Sequence, residues 1–302
     1  MSQNDAISGV LVIDKPTGMT SHDVFNIVRR GTGIRRAGHT GTLDPRASGV
    51  LVVLVGPAVR LSEYISAENK RYQAIIRMGS STDTYDTEGT YSDEVEVNVT
   101  EEQFEEELKK FEGEVEQIPP PYSAVKVKGR KAYEMARKGE EVELEPRMIQ
   151  VHHLEVLEWA DPEVVVDVHC SSGTYIRSLA NDLGEALGCG AHLVGLRRTK
   201  NGRFSLRDSV PLRKLREAFD RGDWYQYLIP AAESLADWRS VELDADEVEI
   251  IRHGQRVPAK EGTEPGLARA ISEAGELVAL VILEEDEEGN LEWQPKKVFL
   301  TS

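Results

Sequence analysis

The sequence predicts an α+β fold. Strand-like segments and helical stretches succeed one another without a regular βαβ rhythm, which disfavours a doubly wound sheet. The chain has 302 residues, a length that suggests about two domains. Its character changes around residues 235–240, after which strands are short, turn signals are frequent and the one expected helix is Asp244–Arg252. The expected division is therefore 1–236 and 237–302, with an excursion of about 117–145 inside the first part.

Along the chain, Val10-Leu-Val-Ile13 is a short apolar run closed by the turn cluster Asp14-Lys-Pro-Thr-Gly18. Thr20-Ser-His-Asp offers N-cap residues, Val24, Ile27 and Val28 follow at helical spacing, and Gly31 is expected to close that helix. Gly38 to Pro45 reads as a rigid loop, because Pro45 fixes its own φ and drives Asp44 toward an extended conformation. Val50–Val55 is uniformly apolar and reads as a buried strand. A helix over Ala58–Ile65 then precedes a strand over Arg71–Arg77, rich in β-branched and aromatic residues.

Thr100 and Gln103 form a capping-box pattern, with Phe104, Leu108 and Phe111 on one face of the helix that follows. Ile149–Leu157 and Glu163–His169 alternate and read as paired strands. Ser172-Gly-Thr174 opens a helix striped by Ile176, Leu179, Leu183 and Leu187, and Leu193–Arg198 and Arg203–Leu206 are short strands.

Composition excludes several classes of function. No apolar run approaches the roughly 18 residues of a membrane helix. Residues 1–5 lack the basic-then-apolar pattern of a signal peptide, so a cytoplasmic location is expected. Cys170 and Cys189 have no metal or disulfide spacing. Glycine spacing over Gly33–Gly38 resembles a phosphate loop but lacks its Lys-Ser/Thr, and no dinucleotide, serine-hydrolase or zinc-protease motif is present. His152 and His153 are adjacent and would face opposite sides of a strand, so no metal is expected.

The net charge of −17 argues at first against nucleic acid, but it is unevenly spread. Residues 1–60 carry seven basic and four acidic side chains, and 171–217 carry nine and four. Acidic residues crowd 88–116 and, at fifteen against six, 241–302. The basic segments supply candidate phosphate contacts: Arg29, Arg30, Arg35, Arg36, Lys126, Lys128, Arg130, Lys131, Arg197, Arg198, Lys200 and Arg203.

Taken singly, the chemical candidates have plain structural readings. Asp before Pro starts many helical turns, so Asp44 could be a cap. His39 could be a turn residue, Tyr72 a half-buried core aromatic, Arg177 a salt-bridge residue and Lys15 a solvated turn lysine.

Read together, they carry a resemblance. Val12-Ile-Asp-Lys-Pro-Thr-Gly-Met-Thr-Ser21, Ala37-Gly-His-Thr-Gly-Thr-Leu-Asp-Pro-Arg-Ala-Ser-Gly-Val-Leu51, Lys70-Arg-Tyr72 and Thr82-Asp-Thr-Tyr-Asp-Thr-Glu-Gly89 resemble, in order, motifs of the TruB family of tRNA pseudouridine synthases. Gln117-Ile-Pro-Pro-Pro-Tyr-Ser-Ala-Val-Lys126 is similar to the RNA-gripping insertion of its bacterial members, and Ser172-Gly-Thr-Tyr-Ile-Arg-Ser178 and Leu196-Arg-Arg-Thr199 complete the set.

The resemblance implies a pseudouridine synthase domain with a mixed, largely antiparallel sheet, followed by a small PUA-like β domain. It implies isomerisation of uridine 55 in the tRNA T-loop, by base flipping, without cofactor or metal. Asp44 would be the essential carboxylate and Arg177 its partner. Tyr72 would stack on the flipped base, His39 would help hold the opened loop, and Lys15 would support the site. The expected partner is the tRNA T-arm, bound by a monomer that needs no membrane and no second protein. Two alternatives stay open: a guide-RNA-dependent synthase and a non-catalytic tRNA-folding chaperone.

Overall fold

A computed structural model describes residues 7–127, 129–140, 142–260, 264–285 and 288–299. The N-terminal residues read for a signal peptide, and Lys128, lie outside the described residues. The first strands are β1 (Gly9–Lys15), β2 (Ala37–Thr40), β3 (Ser48–Val55), β4 (Lys70–Met78), β5 (Gly113–Gln117), β6 (Lys126–Val127) and β7 (Arg130–Lys131). They are followed by β8 (Arg147–Ala160), β9 (Glu163–Cys170), β10 (Ala191–Asn201), β11 (Phe204–Ser205), β12 (Val210–Pro211) and β13 (Ile229–Pro230). The last five are β14 (Ser240–Leu243), β15 (Val257–Pro258), β16 (Leu267–Ser272), β17 (Leu277–Glu285) and β18 (Leu291–Val298). The helices are α1 (Ser21–Thr32), α2 (Ser62–Ala67), α3 (Glu101–Lys109), α4 (Ala132–Ala136), α5 (Ile176–Ala186), α6 (Leu212–Arg221) and α7 (Ala245–Arg252).

The central sheet runs β12-β1-β3-β10-β4-β9-β8-β5. Its β3–β10 and β1–β12 pairs are parallel, and the other neighbours on this path are antiparallel. The fold is thus α+β with a mixed, largely antiparallel sheet, as expected.

Burial explains the two sequence patterns. In β1 and β3, Leu11, Ile13, Leu51 and Val53 face one core, whereas Val10, Val12, Val50 and Val52 face another. A strand covered on both faces has no reason to alternate, hence the uniform apolar run. In β4, Tyr72, Ala74, Ile76 and Met78 are buried while Arg71, Gln73 and Arg77 are exposed, so that strand alternates.

The second core is closed partly by the C-terminal five-stranded sheet, ordered β14-β16-β17-β18-β15, through Leu277, Leu280 and Phe299. Among the described residues no helix is long and apolar enough to cross a membrane.

The local signals mostly fall where the sequence puts them. Thr20 caps α1 in a capping box with Asp23, Thr100 caps α3 with Gln103, and Asp244 caps α7 with Glu247. Several expectations need correction. Helix α1 runs through Gly31 and ends at Gly33, which takes the left-handed conformation. Gly31 is instead a packing site: a Cβ there would stand 2.2 Å from the Phe219 ring of α6. Helix α6 itself was not anticipated. The expected loop over Gly38–Pro45 is half strand, because β2 pairs with β3. The Leu193–Arg198 segment is part of one eleven-residue strand that extends to Asn201.

Candidate active site

The 41–47 loop hangs between β2 and β3 and is held from two sides. Its tip is a turn in which the Ala47 amide donates to the Asp44 carbonyl at 3.1 Å, with Pro45 inside the turn. Asp44 therefore begins a turn, not a helix, and its carboxylate is left free for other contacts.

The β1–α1 connection cradles this tip. Gly18 donates its amide to the Pro45 carbonyl at 2.8 Å. Ser21 Oγ donates to the Leu43 carbonyl at 2.9 Å and accepts from the Leu43 amide at 2.8 Å. Lys15 is fully buried, and its Nζ donates to the carbonyls of Pro16 at 3.0 Å, Met19 at 2.5 Å and Pro45 at 3.4 Å. Burial lowers its pKa to about 8, while the Asp44 carboxylate opposes that shift. The solvated turn lysine is excluded; Lys15 fastens the loop from within.

The root is held from β10. Arg198 is 1% exposed, and its guanidinium donates to the carbonyls of Val50 at 2.7 Å and Gly41 at 2.8 Å. It is thus unavailable to phosphate, and its assignment as an RNA contact is corrected. The sequence shows two adjacent arginines, 197 and 198, and a strand points neighbours to opposite faces. Arg197 accordingly pairs with Asp14 at 2.9 Å, whereas Arg198 enters the core side. Gly49 makes the close approach possible: it has φ +99°, and a Cβ there would lie 2.2 Å from the Arg198 carbonyl oxygen.

The Asp44 carboxylate meets Arg177, in the first turn of α5, at 3.1 Å. Arg177 is nearly buried, at 11% side-chain exposure against 50% for Asp44. It also pairs with Asp86 at 3.3 Å and donates to the carbonyls of Thr84 at 3.5 Å and Tyr122 at 3.2 Å. A guanidinium with so many fixed acceptors is a preorganised fork. Asp86 was missed by the sequence reading, although the Asp/Thr/Gly cluster over Thr82–Gly89 marks a turn-rich loop. That loop is tightly built: Tyr85 takes φ 62°, uncommon for an aromatic residue, and the Leu193 amide holds its carbonyl at 3.0 Å. The helix start is braced by Gln117, whose amide bonds both the N–H and the C=O of Tyr175 at 2.8 and 3.0 Å.

Tyr72 lies in β4 directly opposite Arg198 and is 8% exposed. Burial pushes its phenol above the ordinary tyrosine range, against the opposing pull of Arg198. His39, in β2, packs edge-on to Phe25 at 6.3 Å, and its buried Nδ1 has no partner. Burial lowers its pKa, assisted by the positive charge of His22 and Arg198. Lys70, unmentioned by the sequence reading, is also buried, with its pKa lowered to about 8 by desolvation. Among the described residues no group of three or more His, Cys, Asp or Glu side chains is placed to hold a metal ion.

The remaining basic candidates sort by surroundings. Arg29, Arg30, Arg35, Arg36, Lys126, Lys131 and Lys200 are exposed. Arg130 is engaged by Glu140 through two 2.8 Å bonds, and Arg203 stands 3.6 Å from Asp237. The 117–145 excursion is a β6–β7 hairpin leading into α4, with Lys131 and Arg137 both over the Tyr133 ring at 5.4 and 5.6 Å.

The arrangement is a half-open carboxylate on a braced turn, oriented by a nearly buried guanidinium beside a buried phenol. It can act as nucleophile or base on a polar ligand that enters over Asp44.

A family model for TruB family pseudouridylate synthase (N terminal domain) matches residues 29–176. Models for the tRNA pseudouridylate synthase B C-terminal domain and for tRNA Pseudouridine synthase II, C terminal, match 177–235 and 238–300. The chain is 42% identical over 278 residues to tRNA pseudouridine synthase B of Solibacter usitatus (strain Ellin6076), covering 91% of this chain and 95% of that one. It is 40% identical to the protein of that name from Dechloromonas aromatica (strain RCB), covering 97% and 96%.

Among solved structures, one of an H/ACA RNP bound to a substrate RNA containing 2′-deoxyuridine superposes with TM-score 0.75 at 27% identity, covering 97% of this chain and 85% of that one. A Cbf5-Nop10-Gar1 complex gives the same TM-score at 29% identity, with the same coverage. On these matches, which span nearly the whole chain, the protein belongs to the TruB family of pseudouridine synthases.

Proposed function

We propose that this protein converts uridine to pseudouridine in tRNA, at position 55 of the T-loop, with Asp44 as the reacting carboxylate. The observation that carries this reading is the Asp44–Arg177 pair set beside Tyr72. Support comes from relatives at about 40% identity that bear the name tRNA pseudouridine synthase B.

The net reaction breaks the C1′–N1 bond, forms a C1′–C5 bond, and exchanges the C5 proton for one on N1. Every atom and electron is conserved, so no redox partner enters. A base stacked in the folded T-loop must first be flipped out, which costs a few kcal/mol. The flipped uracil would pack on Tyr72, and His39 would help keep the opened loop apart. The half exposure of Asp44 leaves its carboxylate open to the nucleotide. Three routes use that carboxylate: addition to C6, attack on C1′, or removal of a ribose proton. In each, Arg177 keeps the carboxylate aimed and stabilises its charge.

Phosphate contacts in this reading fall to the exposed Arg29, Arg30, Arg35, Arg36, Lys126, Lys131 and Lys200, and they should make tRNA affinity fall with salt. Residues 1–236 would carry the chemistry and 237–302 a PUA-like module. The decisive experiment incubates the purified protein alone with unmodified tRNA and maps pseudouridine by position. Product at position 55 supports the reading; dependence on an added guide RNA or protein points instead to the complexes the structural neighbours form. If Asp44→Asn still accelerates tRNA folding, a chaperone activity accompanies the chemistry.

A further inference from the structure

A further ion pair joins the catalytic turn to the 82–89 loop, on the solvent side of the Asp44–Arg177–Asp86 cluster. Arg46, two residues after Asp44, places its Nε 3.2 Å from Glu88 Oε1. Glu88 is itself tied to the inner cluster through its backbone, because its amide donates to Asp86 Oδ1 at 2.9 Å. The same oxygen accepts from Thr84 Oγ1 at 2.7 Å, while Asp86 Oδ2 faces Arg177. Asp44, Arg177, Asp86, Glu88 and Arg46 thus form a ring, which the chain closes from Arg46 back to Asp44.

The two sides of the ring differ in depth. Arg177 and Asp86 keep 11% and 17% side-chain exposure, whereas Arg46 and Glu88 keep 63% and 52%. Exposed ion pairs contribute little to stability and are screened by salt, so the outer pair can change partners at small cost. The inner guanidinium is committed to two carboxylates and two backbone carbonyls.

Charge decides which new partner suits Arg46. The ring holds three carboxylates, on Asp44, Asp86 and Glu88, against two guanidiniums. Lys15 and Arg198 lie beside the turn, but both are buried with their nitrogens on backbone carbonyls. Arg46 is therefore the solvent-facing cation of the ring. A nucleotide brought to Asp44 carries a phosphodiester on each side of its ribose, and those anions are repelled by the carboxylates unless a cation intervenes. A guanidinium can take a phosphate through two parallel N–H donors, whereas the bond to Glu88 uses Nε.

We propose that Arg46 grips an RNA phosphate flanking the target nucleotide, and that Glu88 holds it in the free protein and gives it up when RNA docks. The proposal rests on tRNA being the substrate.

The test measures equilibrium binding of a T-arm hairpin RNA to the full-length protein over a range of salt, for Arg46→Gln, Glu88→Gln and the double variant. Both side chains are exposed, so the variants should melt near wild type. Arg46→Gln should weaken binding about tenfold and make the slope of log affinity against log salt shallower by about one. Glu88→Gln, which frees Arg46, should tighten binding about two- to fivefold. In the double variant that gain should vanish. In turnover assays Arg46→Gln should raise KM and leave kcat near wild type, because Arg46 touches no reacting atom.

Opposite signs separate this exchange from a purely structural strap, whose loss at either end would weaken binding alike. Weaker binding by both single variants overturns the proposal, as does no change in either. So does a Glu88→Gln gain that persists without Arg46, which would be bulk charge repulsion, or an Arg46→Gln protein with lowered kcat and unchanged KM. The binding readout needs no turnover: a wild type that forms no pseudouridine but shows these signs overturns the reaction and leaves the phosphate contact standing.

Discussion

Arg177 and Arg198 hold the same loop from opposite ends, and the difference between them lies in what faces each guanidinium. Arg198, 1% exposed, meets the backbone carbonyls of Gly41 and Val50 and the Tyr72 hydroxyl, and no carboxylate. Its two bonds to main-chain oxygens fix where the loop begins, and its contact with Tyr72 ties that root to β4. Arg177 meets two carboxylates, Asp44 and Asp86, and the first of these is half open to solvent. Its role is to aim a side chain that a ligand can still reach. A loop pinned at the root and aimed at the tip can present one carboxylate with little reorganisation, which is what electrostatic catalysis requires.

Substitutions at the two ends should therefore separate chemistry from stability. The largest effect is expected for Asp44→Asn: tRNA binding and melting temperature stay near wild type, while single-turnover pseudouridine formation falls by about 10⁴-fold or more. Measurable turnover close to wild type would sever the tip from the chemistry. Next comes Arg177→Lys, where a point charge replaces a planar fork. Its rate should drop on the order of 10²–10³-fold, with tRNA affinity changed much less.

At the root, Arg198→Lys should act mainly on folding. One lysine cannot reach both carbonyls as the guanidinium does, and a buried acceptor left without a donor costs about 1–3 kcal/mol. Chemical denaturation should report a loss of that size. An Arg198→Lys protein of full stability would refute the clamp.

The smallest effect concerns pH. Lys70 is buried with its Nζ on the Ser66 carbonyl at 2.6 Å, and desolvation lowers its pKa from 10.5 to about 8. Between those values the unfolded chain holds a proton that the folded chain has released. Unfolding free energy therefore rises with pH through this window on account of Lys70, and the desolvation cost is fully present below about pH 8. Denaturation curves for wild type and Lys70→Met from pH 7.5 to 10 should diverge with that sign. A parallel pair of pH profiles would mean that Lys70 keeps its ordinary pKa.

The legibility of the chain follows the range of the forces involved. The capping box at Thr100 and the N-cap at Thr20 are signals within four residues and appear in the structure where the sequence places them, and Asp244, expected as the start of the C-terminal helix, is its N-cap. The contrast between uniform β3 and alternating β4 was visible as apolar pattern, because it records whether one or two faces are covered. Gly31 was misread because a glycine that admits the Phe219 ring looks, locally, like a helix stop. Arg198 was placed on the surface because a basic run carries no mark of which member the strand turns inward. Asp86 was passed over because its partner is on a helix far along the chain.

What the sequence determined by itself was most of the local elements, the caps at Thr20 and Thr100, and the motif order that carries the family resemblance. Only the tertiary structure decided that Asp44, Asp86 and Tyr122 converge on Arg177, that Lys15 faces inward, and that Arg198 closes on Gly41. The physical reason is sheet register. Pairing β3 parallel to β10 sets Gly49 against Arg198, and pairing β10 antiparallel to β4 sets Arg198 against Tyr72. Those alignments are chosen by packing of whole faces, and no local stretch of residues encodes them.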